Sequence, residues 1–260
     1  MSDLPVLHSA AQPDPWKDLR RFTRARIALG SVGTSLPTSS VLEFSMAHAR
    51  ARDAVHLPLD VDQLASSFEA ASFSILRVSS QATNRQEYLA RPDLGRTLFP
   101  ASRDSLLDPK PIPPHRLTLV VADGLSSLAP TRHALPLALQ LRTQLPDWHL
   151  DSITIATQAR VALGDEIGHL RSAEAVVILI GERPGLSSTD SLGAYITYAP
   201  HPGRTDAERN CISNIHHEGL SYPDAAYRIH QLLEASRLAG ASGIAIKDRS
   251  TEAPPSRTLP

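Results

Sequence analysis

The chain has 260 residues, 42% of them hydrophobic, with 26 basic and 27 acidic side chains and a net charge of -1. At roughly 150 residues per domain that is one large domain, or one domain with an appendage, and the chain is too apolar for global disorder. The balanced charge gives no whole-chain attraction to nucleic acid or an anionic membrane, no apolar run reaches the ~18 residues of a membrane span, and the lone Cys211 cannot close an internal disulfide. The expectation is a soluble cytoplasmic protein with no nucleic-acid or membrane partner.

Residues 1–108 read as a mainly helical region. Asp14 before Pro15 is a helix-start pattern, and Leu19, Phe22, Ile27 and Leu29 form an apolar stripe that Gly30 ends. Thr38 opens a second predicted helix carrying Val41, Leu42, Met46 and His48, and Asp60 caps a third through Leu64 and Phe68. Arg20, Arg21, Arg24, Arg26, Arg50 and Arg52 lie on the polar sides of the first two, as a solvated face or a subunit interface would have them. Residues 109–114, P-K-P-I-P-P, predict a stiff spacer, because proline neither continues a helix nor donates to a ladder.

Residues 115–248 change period. The runs Leu117 to Ala122, Ser152 to Thr157 and Ala175 to Ile180 are short, apolar and rich in β-branched residues, as strands are. Ala129 to Leu145 and Asp165 to Ser172 have helical length and lie between them, giving a βαβαβ succession. Ala194 to Tyr198 adds a strand, Ser221, Asp224 and Gly240 bracket a long helix, and Gly243 to Lys247 predicts a last strand. Residues 249–260 read as a flexible tail. The fold expected is α/β, a Rossmann-like doubly wound and mostly parallel sheet behind a helical N-terminal region.

In an open parallel sheet ligands bind beyond the carboxyl ends of the strands. Those ends are Asp123-Gly124-Leu125-Ser126, then Gln158 to Val161, then Gly181 to Ser188 with G-E-R-P-G-L at its start. The third loop has two readings. Gly181 and Gly185 are turn formers beside an exposed pair, Glu182 and Arg183, or they let the backbone approach a flat ligand while Glu182 accepts hydrogen bonds and Arg183 donates them. Neither a P-loop nor a G-x-G-x-x-G fingerprint is present. Cys211 reads as a small buried hydrophobe before it reads as a thiolate. Adjacent His216 and His217 point apart on regular structure, so no metal site is expected, and Ser126 lacks the G-x-S-x-G frame, so no catalytic set is assigned. The residues by themselves reach a ligand-binding α/β domain, with a stand-alone nucleotide-using enzyme and a non-catalytic scaffold both open.

Several motifs do carry a resemblance. Arg160-Val161 with G-D-E-I-G from Gly164 to Gly168, V-V-I-L-I-G-E-R-P-G-L from Val176 to Leu186, and C-I-S-N-I-H from Cys211 to His216 resemble the ethanolamine ammonia-lyase small-subunit family. Y-L-A-R-P-D-L-G-R from Tyr88 to Arg96 and V-A-D-G-L-S from Val121 to Ser126 extend the likeness, which covers Trp16 to Lys247. The resemblance implies an adenosylcobalamin-dependent lyase converting ethanolamine to acetaldehyde and ammonia, active only in a hetero-oligomer with a TIM-barrel large subunit. It implies cofactor contacts at Val161, Glu182 and Cys211, with Arg160 and Arg183 as neighbours, and no catalytic residue on this chain. The segment before Trp16 is short beside that of family members packaged in a bacterial microcompartment, which leaves packaging open.

Overall fold

A computed structural model describes residues 11–107 and 113–246, so residues 109–112 of the predicted spacer, Lys247 and the predicted tail at 249–260 lie outside the described residues. The chain forms two compact units, one of residues 1–53 with 185–188 and one of residues 54–184 with 189–260.

The first unit holds a 3-10 helix, Lys17–Phe22, and most of helix α1, Thr38–His56. The first starts later than the Asp14-Pro15 pattern suggested: Trp16 is its N-cap, with no side-chain capping bond, and Asp14 Oδ1 accepts from the Trp16 N–H at 2.8 Å just before the helix. The predicted run to Leu29 does not form, because Thr23 turns extended at φ -150° and ψ 147°. The physical reason lies in packing: Leu19, Phe22 and Ile27 are all exposed, and a helix this short is marginal without a buried face.

The second unit is built around one sheet. Its elements in chain order are α2 (Val61–Ala70), β1 (Ile75–Ser79), α3 (Arg85–Ala90), α4 (Pro100–Asp104), β2 (Arg116–Ala122), α5 (Leu135–Gln144), β3 (His149–Leu150), β4 (Ile153–Thr157), α6 (Leu163–Leu170), β5 (Ala175–Gly181), β6 (Leu192–Tyr198), β7 (Asn210–Ile215) and α7 (Tyr222–Ala239). The seven strands are ordered β1-β4-β2-β5-β6-β7, with the short β3 also paired to β2.

Side chains of alternate residues leave a strand on opposite faces, and both faces are covered here. Leu117, Leu119 and Val121 of β2 join Leu64 and Phe68 of α2, Leu137 and Leu141 of α5 and Ile229 and Leu233 of α7 in one apolar cluster. Val120 and Ala122 join Leu163 and Ile167 of α6, with Leu98 and Leu106, in another. A strand buried on both sides is nearly continuous in apolar residues, with Thr118 and Thr154 the buried polar exceptions within the runs, which is why β2, β4 and β5 could be read from the sequence. The caps of α2 and α7 also form as read: Asp60 accepts from the Gln63 N–H, Ser221 from the Asp224 N–H, and Gly240 closes α7 in the left-handed region at φ 66°.

Three corrections concern the sheet. It is mixed: β1, β4, β2 and β5 run parallel, but β6 is antiparallel to β5 and β7 to β6. No helix intervenes between Gly181 and Leu192 to carry the chain back, so the next strand must return in the opposite direction. The strand expected from Gly243 is a 3-10 turn, Gly243–Ala245, since Gly243 sits at φ 74° and its N–H donates to Asn210 Oδ1. Strands β1 and β7, which form the two edges, and the two-residue β3 were not anticipated; β1 comes from the region read as helical.

Candidate functional site

The carboxyl ends of β2, β4 and β5 carry three loops that are tied to one another. Asp123, at the end of β2, is buried, and its carboxylate accepts the N–H groups of Gln158 and Ala159 at 2.8 and 3.0 Å. Burial pushes that carboxyl up, opposed by the two amides and by the Arg85 guanidinium 3.5 Å away. The Leu125 N–H donates to the Gly181 carbonyl at 2.9 Å, and Ser126 Oγ to the Thr189 carbonyl at 2.7 Å.

Close packing at this junction explains its glycines. Gly124 has φ 55°, and a Cβ there would overlap the Gly181 carbonyl oxygen. A Cβ on Gly181 would overlap the Ser126 carbonyl oxygen and stand 2.5 Å from that of Asp123. Gly181 is thus not a turn former: it ends β5 and lets the loop after β2 pass against it. Gly185 falls in the other compact unit.

Two connected concavities open along this edge. The first, about 300 Å³, is lined by Tyr88, Gly124, Leu125, Arg160, Val161, Ile180, Gly181, Glu182, Arg183 and Tyr195, so four of the five residues singled out by sequence meet there. The second, about 450 Å³, shares Arg160, Val161 and Tyr195 with it and adds Arg96, Arg204, Arg209 and Asp206. Cys211 lines neither, but it pairs with Tyr195 across β6 and β7. It lies exposed on the edge strand β7, not buried as the sequence suggested, yet partial desolvation of its sulfur still pushes the Cys211 thiol up, so it stays protonated at neutral pH and is not a thiolate nucleophile.

Glu182 is held from three directions. Its N–H donates to the Ser191 carbonyl at 2.9 Å, while its Oε2 accepts from Ser191 Oγ and from the Asn214 N–H at 3.3 Å. Gly193 leaves room for it, since a Cβ there would come within 3.1 Å of Glu182 Oε1. Arg160 is fixed by its N–H to the Gly95 carbonyl at 2.8 Å and by the Tyr88 ring, whose centroid lies 4.3 Å from its guanidinium carbon. Tyr88 is fully buried and donates to the Ala159 carbonyl. Neither Tyr88 nor Arg96 was picked out as a site residue, because they come from the region before the spacer; the Tyr88 to Arg96 motif was the signal available.

His216 and His217 lie in the turn after β7, not on regular structure, and make different contacts. His216 Nε2 lies 2.8 Å from Asn214 Oδ1, whereas the His217 ring packs edge-on against buried His133. The His133 ring joins Asp190 Oδ2 at Nε2 (3.2 Å) and the Tyr222 hydroxyl at Nδ1 (2.9 Å), and Arg132 binds the same Asp190 oxygen at 2.8 Å. A neutral ring suits both contacts, Nε2–H donating to the carboxylate and Nδ1 accepting from Tyr222. This cluster anchors Asp190 beside Ser191, and so helps place Glu182.

Burial pushes His133 down in spite of Asp190, with His216 and His217 adding repulsion. Burial would raise Asp190, but Arg132 and His133 outweigh it and hold that carboxyl below its usual range. The unfolded chain therefore takes up a proton at His133 more readily than the folded one, and the neutral ring stabilises the fold above the ordinary histidine value of ~6.5 but not below it. Melting temperature is expected to fall as pH drops from 7 towards 5.5, and more steeply for wild type than for His133→Gln. Parallel pH profiles for the two would refute a role for His133.

Residues 13–247 match the family model described as ethanolamine ammonia-lyase light chain. The chain is 49% identical over 257 residues to the ethanolamine ammonia-lyase small subunit of Pseudomonas syringae pv. tomato, covering 96% of this chain and 90% of the relative. It is 48% identical to the protein of that name from Bradyrhizobium diazoefficiens, covering 94% of each. The Azotobacter vinelandii protein is 50% identical over 93% of this chain and 91% of its own length.

Proposed function

The chain belongs to the ethanolamine ammonia-lyase light-chain family, and from that premise we propose that it is the small subunit of an adenosylcobalamin-dependent enzyme, working with a large subunit to convert ethanolamine to acetaldehyde and ammonia. The observation that carries the reading is the convergence of Arg160, Val161, Glu182 and Arg183 on one concavity beyond the strand ends. In this reading the sheet is a Rossmann-like core. It is supported by helices on both faces and by a ligand-sized opening at the carboxyl ends of its parallel strands.

The residues present fit a cobalamin. Val161, Ile180 and Leu125 supply an apolar wall, Tyr195 brings Cys211 close, and Glu182 is an acceptor held ready for the ligand's amide groups. Arg160 keeps a buried Nε without a partner beside the opening, a donor that an anionic or carbonyl group of the ligand would satisfy. When bound, the cofactor supplies the radical chemistry. This chain's residues bind, orient and exclude water; the substrate and the hydrogen-transfer steps belong to the partner.

The test is ethanolamine deamination by this chain co-expressed with its large subunit, with and without adenosylcobalamin, alongside each chain alone. Activity is expected only with both chains and cofactor. Equal activity from the large subunit alone, or cofactor-independent turnover, would overturn the proposal.

A further inference from the structure

The second concavity differs in chemistry from the first. Four guanidinium groups line it, those of Arg96, Arg160, Arg204 and Arg209. Arg209 is buried and bound by Asp165 and Asp206, and Arg204 pairs with Glu208 at 2.5 Å. Those three carboxylates set against four guanidinium groups leave one net positive charge. Arg96 and Arg160 take no part in the pairing: among the described residues the Arg96 side chain has no hydrogen-bond or ion-pair partner, only its backbone N–H donating to the Asp93 carbonyl, and Arg160 has no carboxylate. Buried Nε atoms of Arg160 and Arg209 also lack partners. Val161 and Ala162, at the start of α6, bring the positive end of that helix to the same wall.

Resting on the cobalamin reading, we infer that Arg96 and Arg160 form a subsite for a singly charged phosphate diester, the nucleotide-loop phosphate of the bound corrinoid. The two concavities share Arg160, Val161 and Tyr195. An extended ligand with a flat, amide-bearing body in the apolar opening therefore presents its anionic tail to the arginines. Guanidinium groups suit a phosphate because their fork of donors matches two of its oxygens at once. Gly95 sets the spacing of the pair, since its carbonyl accepts from the Arg160 N–H and a Cβ on it would come within 2.9 Å of Arg160 Cγ.

The experiment uses the complex with the large subunit, as wild type and as Arg96→Ala. Arg96 is exposed and makes no contact that holds the fold, so the melting temperature of the variant is expected to be unchanged. Three probes are titrated: hydroxocobalamin, cobinamide, which lacks the nucleotide loop, and inorganic phosphate followed by its ³¹P line width. Arg96→Ala is expected to weaken hydroxocobalamin about 10-fold or more, as loss of a charge-assisted bond does, and to leave cobinamide within about twofold. An equal loss for both corrinoids, or unchanged hydroxocobalamin affinity, would overturn the subsite. If wild type bound no corrinoid yet broadened the phosphate signal in an Arg96-dependent way, the cobalamin reading would fail while the anion site stood, as one for a free phosphate ester. Binding of neither corrinoid nor phosphate would overturn both.

Discussion

Gly181→Ala is expected to destabilise the chain by about 4 kcal/mol or more, enough that little folded protein accumulates, while Gly185→Ala four residues on stays within about 0.5 kcal/mol of wild type. The same substitution in the same loop meets two different surroundings. At Gly181 the new methyl would overlap the Ser126 carbonyl oxygen and lie 2.5 Å from the Asp123 oxygen. Both are backbone atoms, and they cannot yield, because Leu125 is bonded to Gly181 and Asp123 to the loop after β4. At Gly185 the nearest atom to a new Cβ is the Ser188 oxygen at 3.5 Å, an ordinary contact. Thermal unfolding of both variants, each in complex with the large subunit, decides the matter. Equal, small shifts would mean that the loops after β2 and β5 do not pack as described.

Which parts of this molecule could be read from its sequence follows from which parts are buried. β2, β4 and β5 are shielded on both faces, so their sequences are largely apolar runs, broken only by threonine in their interiors, and their carboxyl ends gave the location of the candidate concavity. β7 is an edge strand in which Ser213 and Asn214 face outward, and its polar sequence hid it. β1 is the opposite edge, with Arg77 exposed in its middle and only Val78 fully buried. The direction of β6 is not written in its own residues, which are mostly buried in either sense, and only the lack of a helix before it tells. The helix expected to Leu29 failed for the converse reason, its apolar stripe having no core to meet. At the candidate site, Arg160, Val161, Glu182 and Arg183 were accessible because they follow strands directly. Tyr88 and Arg96 reach the same place through α3 and the turn after it, a juxtaposition set by tertiary structure and visible beforehand only through the family's motif.

The second large effect is expected at Asp123, which the fold uses to place residues it does not itself touch through a ligand. Removing its carboxylate in Asp123→Ala leaves the Gln158 and Ala159 N–H groups and the Arg85 guanidinium buried without it, a cost of about 3 kcal/mol. Arg85 keeps its bonds to the carbonyls of Val55 and Gly124, so the loop after β2 does not collapse outright. What loosens is the other partner. Gln158 is held at φ 54°, an uncomfortable conformation for a residue with a side chain. Without Asp123 the Tyr88 bond to the Ala159 carbonyl and the Arg160 N–H bond to Gly95 still restrain the loop, but neither acts at Gln158 itself. Arg160 and Val161 follow directly and would move with it, so cobalamin affinity of the complex is expected to fall about 10-fold or more beyond any loss of folded protein. Asp123→Asn keeps one acceptor but turns its amide donor towards the second N–H, and an intermediate result is expected. Titrating cobalamin into both variants at a temperature where each is fully folded separates placement from stability. Wild-type affinity in a folded Asp123→Ala complex would show that the loop after β4 holds its shape unaided.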